Sequence, residues 1–196
     1  MPLMYAELAE LLDCKTVAWV KGVSPADVVT RWGGNPAAFS PMTFGEMIDS
    51  WWNIYEEEDA FVAVAAVGGW TLVVDSRWIG VDEKIVERLS VGTRVVSHSL
   101  LEVKGLHEWR WAEDGHLRIG FYAQEGFMAD DLHVDPQEFP ELVAPMARID
   151  AEFPDWFEID EGPVFALTES LTGITLTPRM LTELAFQGYY LSDPTT

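Results

Sequence analysis

Twelve residues, Asp150 to Glu161 (DAEFPDWFEIDE), set Phe153, Trp156, Phe157 and Ile159 among Asp150, Glu152, Asp155, Glu158, Asp160 and Glu161. An apolar anchor ringed by acids suits the reception of a basic protein, because the aromatics supply burial while the carboxylates steer positive charge. The plainer reading makes the aromatics core and the acids solvated surface. A second group, Glu108, Arg110, His116 and Arg118, shares one face of a predicted β-hairpin. It offers an alternative polar ligand face for a small molecule, or simply a cross-strand charge pair on a wet sheet.

Other chemistry finds no foothold. There is no phosphate-binding glycine loop, nucleophile elbow, calcium loop or zinc-type spacing. The histidines are His98, His107, His116 and His133. Because the predicted hairpin turns His107 inward and His116 outward, those two share no ion, and no metal site or cofactor is expected. Carboxylates are plentiful, but acid-base work needs a pair whose pKa values are driven apart by burial or proximity, and no spacing here defines one. No catalytic residue is assigned, and the chain reads as a binding protein rather than an enzyme.

Composition narrows the partners. With 33 acidic and 12 basic side chains the formal net charge is −21, which repels nucleic acid and anionic membrane surfaces and attracts a basic protein. Up to Arg118 the chain carries 18 acids and 10 bases; from Ile119 onward it carries 15 acids against Arg148 and Arg179 alone. The single cysteine, Cys14, has no internal disulfide partner and suits a reducing compartment. The acidic N-terminus is unlike a signal peptide and no apolar run is of spanning length, so a cytoplasmic location is expected.

The positioning elements are read from periodicity and turn chemistry. Ala60 to Asp75 (AFVAVAAVGGWTLVVD) is two strand-length apolar runs joined by Gly68-Gly69, a hairpin whose faces both need covering. Tyr5, Leu8, Ala9 and Leu12 fall on one helical face; Thr16 to Val20 is β-prone; Ser24, Pro25 and Asp27 start a helix that Gly33 and Gly34 end. Thr43 and Glu46 form a capping box before an apolar helical stripe, expected to pack across the hairpin. A helix marked by Val81, Ile85, Val86 and Leu89 follows, then a strand over Thr93 to Ser99.

The next hairpin admits two registers. A three-residue turn at Glu113, Asp114 and Gly115 pairs Trp111 with Leu117, Trp109 with Ile119 and His107 with Phe121, leaving the charged group on the other face. A two-residue Asp-Gly turn puts Leu117, Ile119 and Phe121 with the charges, so the first is preferred. Prolines at 136, 140, 145 and 154 make 126–162 an irregular acidic segment, with two or three helical turns over Glu138 to Ala147. Helices over Val164 to Leu171 and from Thr177-Pro178 complete the chain. The expected fold is a single α+β domain over 1–196, with a mainly antiparallel five- to six-stranded twisted sheet packed with several helices.

Three segments together, Trp19 to Pro25 (WVKGVSP), Gly68 to Asp75 (GGWTLVVD) and Leu171 to Pro178 (LTGITLTP), resemble the signature stretches of a family of small soluble proteins from high-GC bacteria, a domain of unknown function. The resemblance spans Cys14 to Leu184. It implies a bacterial, cytosolic, single-domain protein and carries over no catalytic residues. Three functions are therefore weighed: an acidic, immunity- or antitoxin-like protein covering a basic partner; a small-molecule binder or enzyme with its site on the sheet face; and an oligomerising structural module.

Overall fold

The structure, a computed structural model, describes residues 3–52, 59–101, 106–122, 127, 138–153 and 162–192. Among these residues, seven helices are α1 (Leu3–Leu12), α2 (Pro25–Arg31), α3 (Phe44–Trp52), α4 (Glu83–Leu89), α5 (Pro140–Glu152), α6 (Gly162–Thr172) and α7 (Pro178–Glu183). Eight strands are β1 (Thr16–Lys21), β2 (Ser40–Met42), β3 (Asp59–Val67), β4 (Trp70–Asp75), β5 (Arg94–Leu101), β6 (Leu106–Glu113), β7 (His116–Tyr122) and β8 (Phe186–Ser192). They form one sheet in the order β2-β8-β3-β4-β1-β5-β6-β7, with every neighbouring pair antiparallel.

The fold is α+β as expected, but the sheet has eight strands rather than five or six. The two additional strands are β2, three residues long with Pro41 in its middle, and β8, which inserts between β2 and β3 from the far end of the chain. β8 fits there because Gly188 has no side chain: a Cβ would lie 2.6 Å from Met42 Sδ and 2.8 Å from Phe61 Cζ.

Helices cover both faces, which is why β3 and β4 are apolar without alternation. Along β1, Val17 and Trp19 face one layer while Ala18 and Val20 face the other. The first layer holds α1, α3, α5, α6 and α7 over Trp19, Phe61, Leu72, Trp109 and Trp111. The second holds α2, α4 and a short 3-10 turn, Ile79–Val81, over Val20, Val62, Val73 and Val95.

Local signals act as their chemistry requires. Gly68 and Gly69 take φ of +53° and +84°, the left-handed pair that closes a two-residue hairpin. Thr43 Oγ1 accepts from the Glu46 N–H, while the Thr43 N–H at 2.7 Å and the Thr43 hydroxyl at 2.9 Å donate to the Glu46 carboxylate and hold it below its usual pKa. Ser24, Asp82 and Thr177 cap α2, α4 and α7. Within 126–162, α5 runs on to Glu152 with Pro145 inside it, longer than the two or three turns expected.

The β6–β7 register departs from both sequence options. Asp114 and Gly115 form the two-residue turn, with φ of +51° and +83°. Ala112 then pairs with Leu117, but Arg118 is bulged out, so Trp111 pairs with Ile119 and Trp109 with Phe121. The extra residue shifts the strand by one and restores Ile119 and Phe121 to the tryptophan face, while Leu117 goes to the second layer.

Candidate functional site

A cleft of about 770 Å³ opens where α1, the Asp13–Lys15 turn, α3, Ser76 and the start of α7 meet, a volume suited to a small ligand. Leu11, Ile48, Trp51 and Pro178 give it apolar walls; Glu7, Glu10, Asp13, Cys14, Lys15 and Ser76 add polar groups. α1 turns Leu8 and Leu12 into the core and so leaves Glu7 and Glu10 exposed. The chain then reverses through Cys14 at φ +59°, and Lys15 reaches back: its Nζ donates to the Asp13 carbonyl at 2.5 Å and lies 4.7 Å from the centre of the Trp51 ring. Burial lowers the Lys15 pKa, against the pull of Asp13 and Cys14.

Ser76, whose N–H donates to the Phe61 carbonyl at 3.3 Å, follows Asp75, a fully buried carboxylate at the end of β4. Asp75 accepts from the N–H groups of Arg77 (3.0 Å), Ile79 (2.9 Å) and Gly80 (2.8 Å), with Trp78 a fourth donor. Burial outweighs those donors and pushes its pKa up to about 6. The turn closes tightly enough that a Cβ on Gly80 would sit 2.9 Å from Asp75 Oδ2.

The residues singled out in the sequence are distributed as follows. Asp150 accepts from the Phe127 N–H at 2.8 Å, and Glu152 pairs with Arg148 at 3.3 Å on the exposed side of α5. Phe153 is core, its ring 6.3 Å from that of Tyr5. Asp155, Trp156, Glu158, Asp160 and Glu161 lie outside the described residues. Beside Glu152 a polar hollow of about 410 Å³ contains Tyr5, Arg148, Glu169 and Ser170. Tyr5 donates to Glu169 at 3.2 Å, and burial, then Glu169, pushes its pKa up to about 12.

Glu108, Arg110, His116 and Arg118 do not converge. Glu108 and Arg110 pair with each other, and Arg110 lies across Gly120 to donate to the Val81 carbonyl beneath the second helical layer. His116 pairs across the turn with Glu113 and is exposed. Arg118, at the bulge, turns to the opposite face, 5.6 Å from the Trp111 ring. The two-residue Asp114-Gly115 turn, in place of the expected three-residue one, is the physical reason the shared face fails, because it sets His116 and Arg118 off the face that carries Glu108 and Arg110.

Of the histidines, His98 is buried, its Nδ1 3.1 Å from Thr168 Oγ1, which also accepts from Trp109 Nε1 at 3.1 Å. This network ties α6 to β5 and β6. His133 lies outside the described residues, as does the His107 side chain. Among the described residues, no group of three or more His, Cys, Asp or Glu side chains is disposed to hold a metal ion.

Charge separates the two helical layers. The first, with the Asp13–Lys15 turn, carries ten acids (Glu7, Glu10, Asp13, Glu46, Asp49, Glu141, Asp150, Glu152, Glu169, Glu183) and three bases (Lys15, Arg148, Arg179). The second, from α2, α4 and residues 76–82, carries four acids (Asp27, Asp82, Glu83, Glu87) and four bases (Arg31, Arg77, Lys84, Arg88). Among the described residues of these elements, one face of the sheet is thus covered by a layer with seven more acids than bases and the other by a layer with equal numbers.

An antiparallel α+β sheet armoured on both sides, with one anionic layer and an acid-rimmed cleft, defines the class. Residues 7–194 match DUF6461, a family of unknown function, and the chain belongs to that family. No curated protein and no solved structure matches it.

Proposed function

We propose that this is a non-enzymatic binding protein that presents its anionic helical layer to a basic protein partner, as an immunity or antitoxin-like protein would. The observation that carries the reading is the charge difference between layers. A surplus of acids collected on one side creates a directed field that speeds encounter with a cation and sets its orientation, which the same charge spread evenly would not do. The acidic stretch of Asp150 to Glu161 begins on that layer, at the end of α5. A cytoplasmic setting in a high-GC bacterium belongs to the same reading and draws its support from the single exposed thiol and the family resemblance.

Two other readings have less to work with. Arg110 and Glu108 satisfy each other under the second layer, so a ligand site on the sheet face has no open converging set there. Among the described residues, the exposed aromatics Trp78, Tyr122 and Tyr190 come from the turn after β4, from β7 and from β8, three separate segments, and the two tyrosines sit near opposite ends of the strand order, so they offer little as a common patch for oligomerisation.

The test is capture from native lysate at low and high salt, then affinity measurement of the captured protein against two charge-reversed variants. The expected partner is basic and released by salt. A Glu7→Lys/Glu10→Lys/Glu141→Lys protein should bind it at least about thirtyfold more weakly, and an Asp27→Lys/Glu83→Lys protein less than about threefold more weakly. Equal losses, or an acidic partner indifferent to salt, would remove the reading.

A further inference from the structure

We propose that the cleft between α1, α3 and α7 is a seat for a small organic cation, an ammonium group carried on an apolar body, and that Lys15 is the resident competitor for that seat. The cleft already holds one cation against an aromatic face: Lys15 Nζ lies 4.7 Å from the Trp51 ring centre, within the range of a cation–π contact. Leu11, Ile48 and Pro178 provide the apolar wall that an alkyl or aryl body needs, and that a hydrated metal ion would not use.

The sign of the ligand follows from the lining. Glu7, Glu10 and Asp13 are three carboxylates against one ammonium. An anion would gain Lys15 and face all three acids; a cation gains the acids and the indole, and among the described lining residues is opposed by Lys15 alone. Burial already weakens the hold of Lys15 on its proton, which lowers the cost of displacing its charge. A free cation needs no protein partner, so this site stands apart from the reading above.

Titration with phenyltrimethylammonium and with tert-butylbenzene, its uncharged isostere, tests the proposal by calorimetry or indole fluorescence. The cation should bind at least about tenfold more tightly than the isostere. Lys15→Met should tighten the cation about tenfold and leave the isostere within about threefold, because a competing charge is removed and an apolar stem kept. Glu7→Gln/Glu10→Gln, at exposed positions, should weaken the cation severalfold without disturbing the fold. Trp51 packs edge-on to Phe61 at 6.4 Å, so Trp51→Phe, which keeps an aromatic ring there, is the variant to use; it should weaken the cation and spare the isostere. Equal affinity for the two probes, no binding of either at millimolar concentration, or a Lys15→Met protein whose cation affinity is unchanged or weaker would overturn the proposal.

Discussion

On the neutral side of the sheet, charged side chains are spent on backbone. Arg31 donates to the carbonyls of Leu89 at 2.7 Å and Val91 at 2.8 Å, binding α2 to the end of α4, and Arg88 reaches the Trp32 carbonyl at 3.4 Å in the other direction. On the anionic side, Arg179 makes an exposed pair along its own helix with Glu183, and Arg148 pairs with Glu152 and reaches the Ser170 hydroxyl of α6 at 3.1 Å, while Glu7 and Glu10 stand exposed in the lining of the cleft. Both layers cover the same sheet, so covering does not account for the difference. A layer whose charges tie its own helices together has little left to offer a partner; a layer with unmatched acids on its outer surface does.

If packing is shared and only charge differs, truncations in the two layers should cost alike. Leu8 of α1 and Leu89 of α4 are both fully buried. Leu8→Ala and Leu89→Ala should each destabilise by about 2–5 kcal/mol in denaturant unfolding, from lost transfer energy plus the cavity left behind. A cost below about 1 kcal/mol for Leu8→Ala would show the anionic layer to be loosely docked, and the comparison would become one of packing.

What was legible in the sequence was local or periodic. Gly68-Gly69, the Thr43–Glu46 box and the Ser24-Pro25 start each fix a backbone conformation with neighbouring residues, so they could be read without knowing the fold. β8 could not, because its place depends on Gly188 passing under Met42 and Phe61, contributed by distant segments. At the β6–β7 hairpin the turn chemistry and the segregation of faces were both legible, and conflicted; only the bulge at Arg118 reconciles them. That compromise also dispersed the polar group expected on one face. The cleft carried no motif at all: Lys15, Trp51 and Ser76 come from three segments, and Ser76 opens a turn that closes only because residues 77–80 fold over the Asp75 carboxylate.

Asp75 sharpens the contrast, since the neutral side conceals the deeply buried acid while the anionic side displays its own. With a pKa raised from 3.8 to about 6, Asp75 binds a proton more readily in the folded than in the unfolded protein. The associated stability is fully present below pH 3.8, and is lost as pH rises through 6. Over that window the change is about 3 kcal/mol, from 1.36 kcal/mol per unit. Chemical unfolding of the wild type and of Asp75→Asn between pH 4 and pH 7 should therefore show the wild-type advantage growing by roughly that amount as pH falls. Exposed acids shared by both proteins cancel in the difference. A constant difference, or one that shrinks on acidification, would mean that the backbone donors dominate the carboxylate.

The smallest effect separates the layers by one residue type. Arg31 is half-buried and bridges two carbonyls on another segment, so Arg31→Ala leaves acceptors without their donor and should cost about 1–3 kcal/mol. Arg179 pairs with Glu183 at 2.7 Å, but both side chains are largely exposed, at 81% and 61%. Water and salt can replace that pair, and Arg179→Ala should change stability by no more than about 0.5 kcal/mol. It also leaves the anionic layer one charge more negative, so it should strengthen capture of the basic partner slightly while barely moving the unfolding midpoint. Arg31→Ala should do the reverse, lowering the midpoint and leaving partner affinity alone. If both arginines instead lowered stability equally, the acids around Arg179 would be part of the scaffold, and the anionic layer would lose its claim to be a surface held ready for something else.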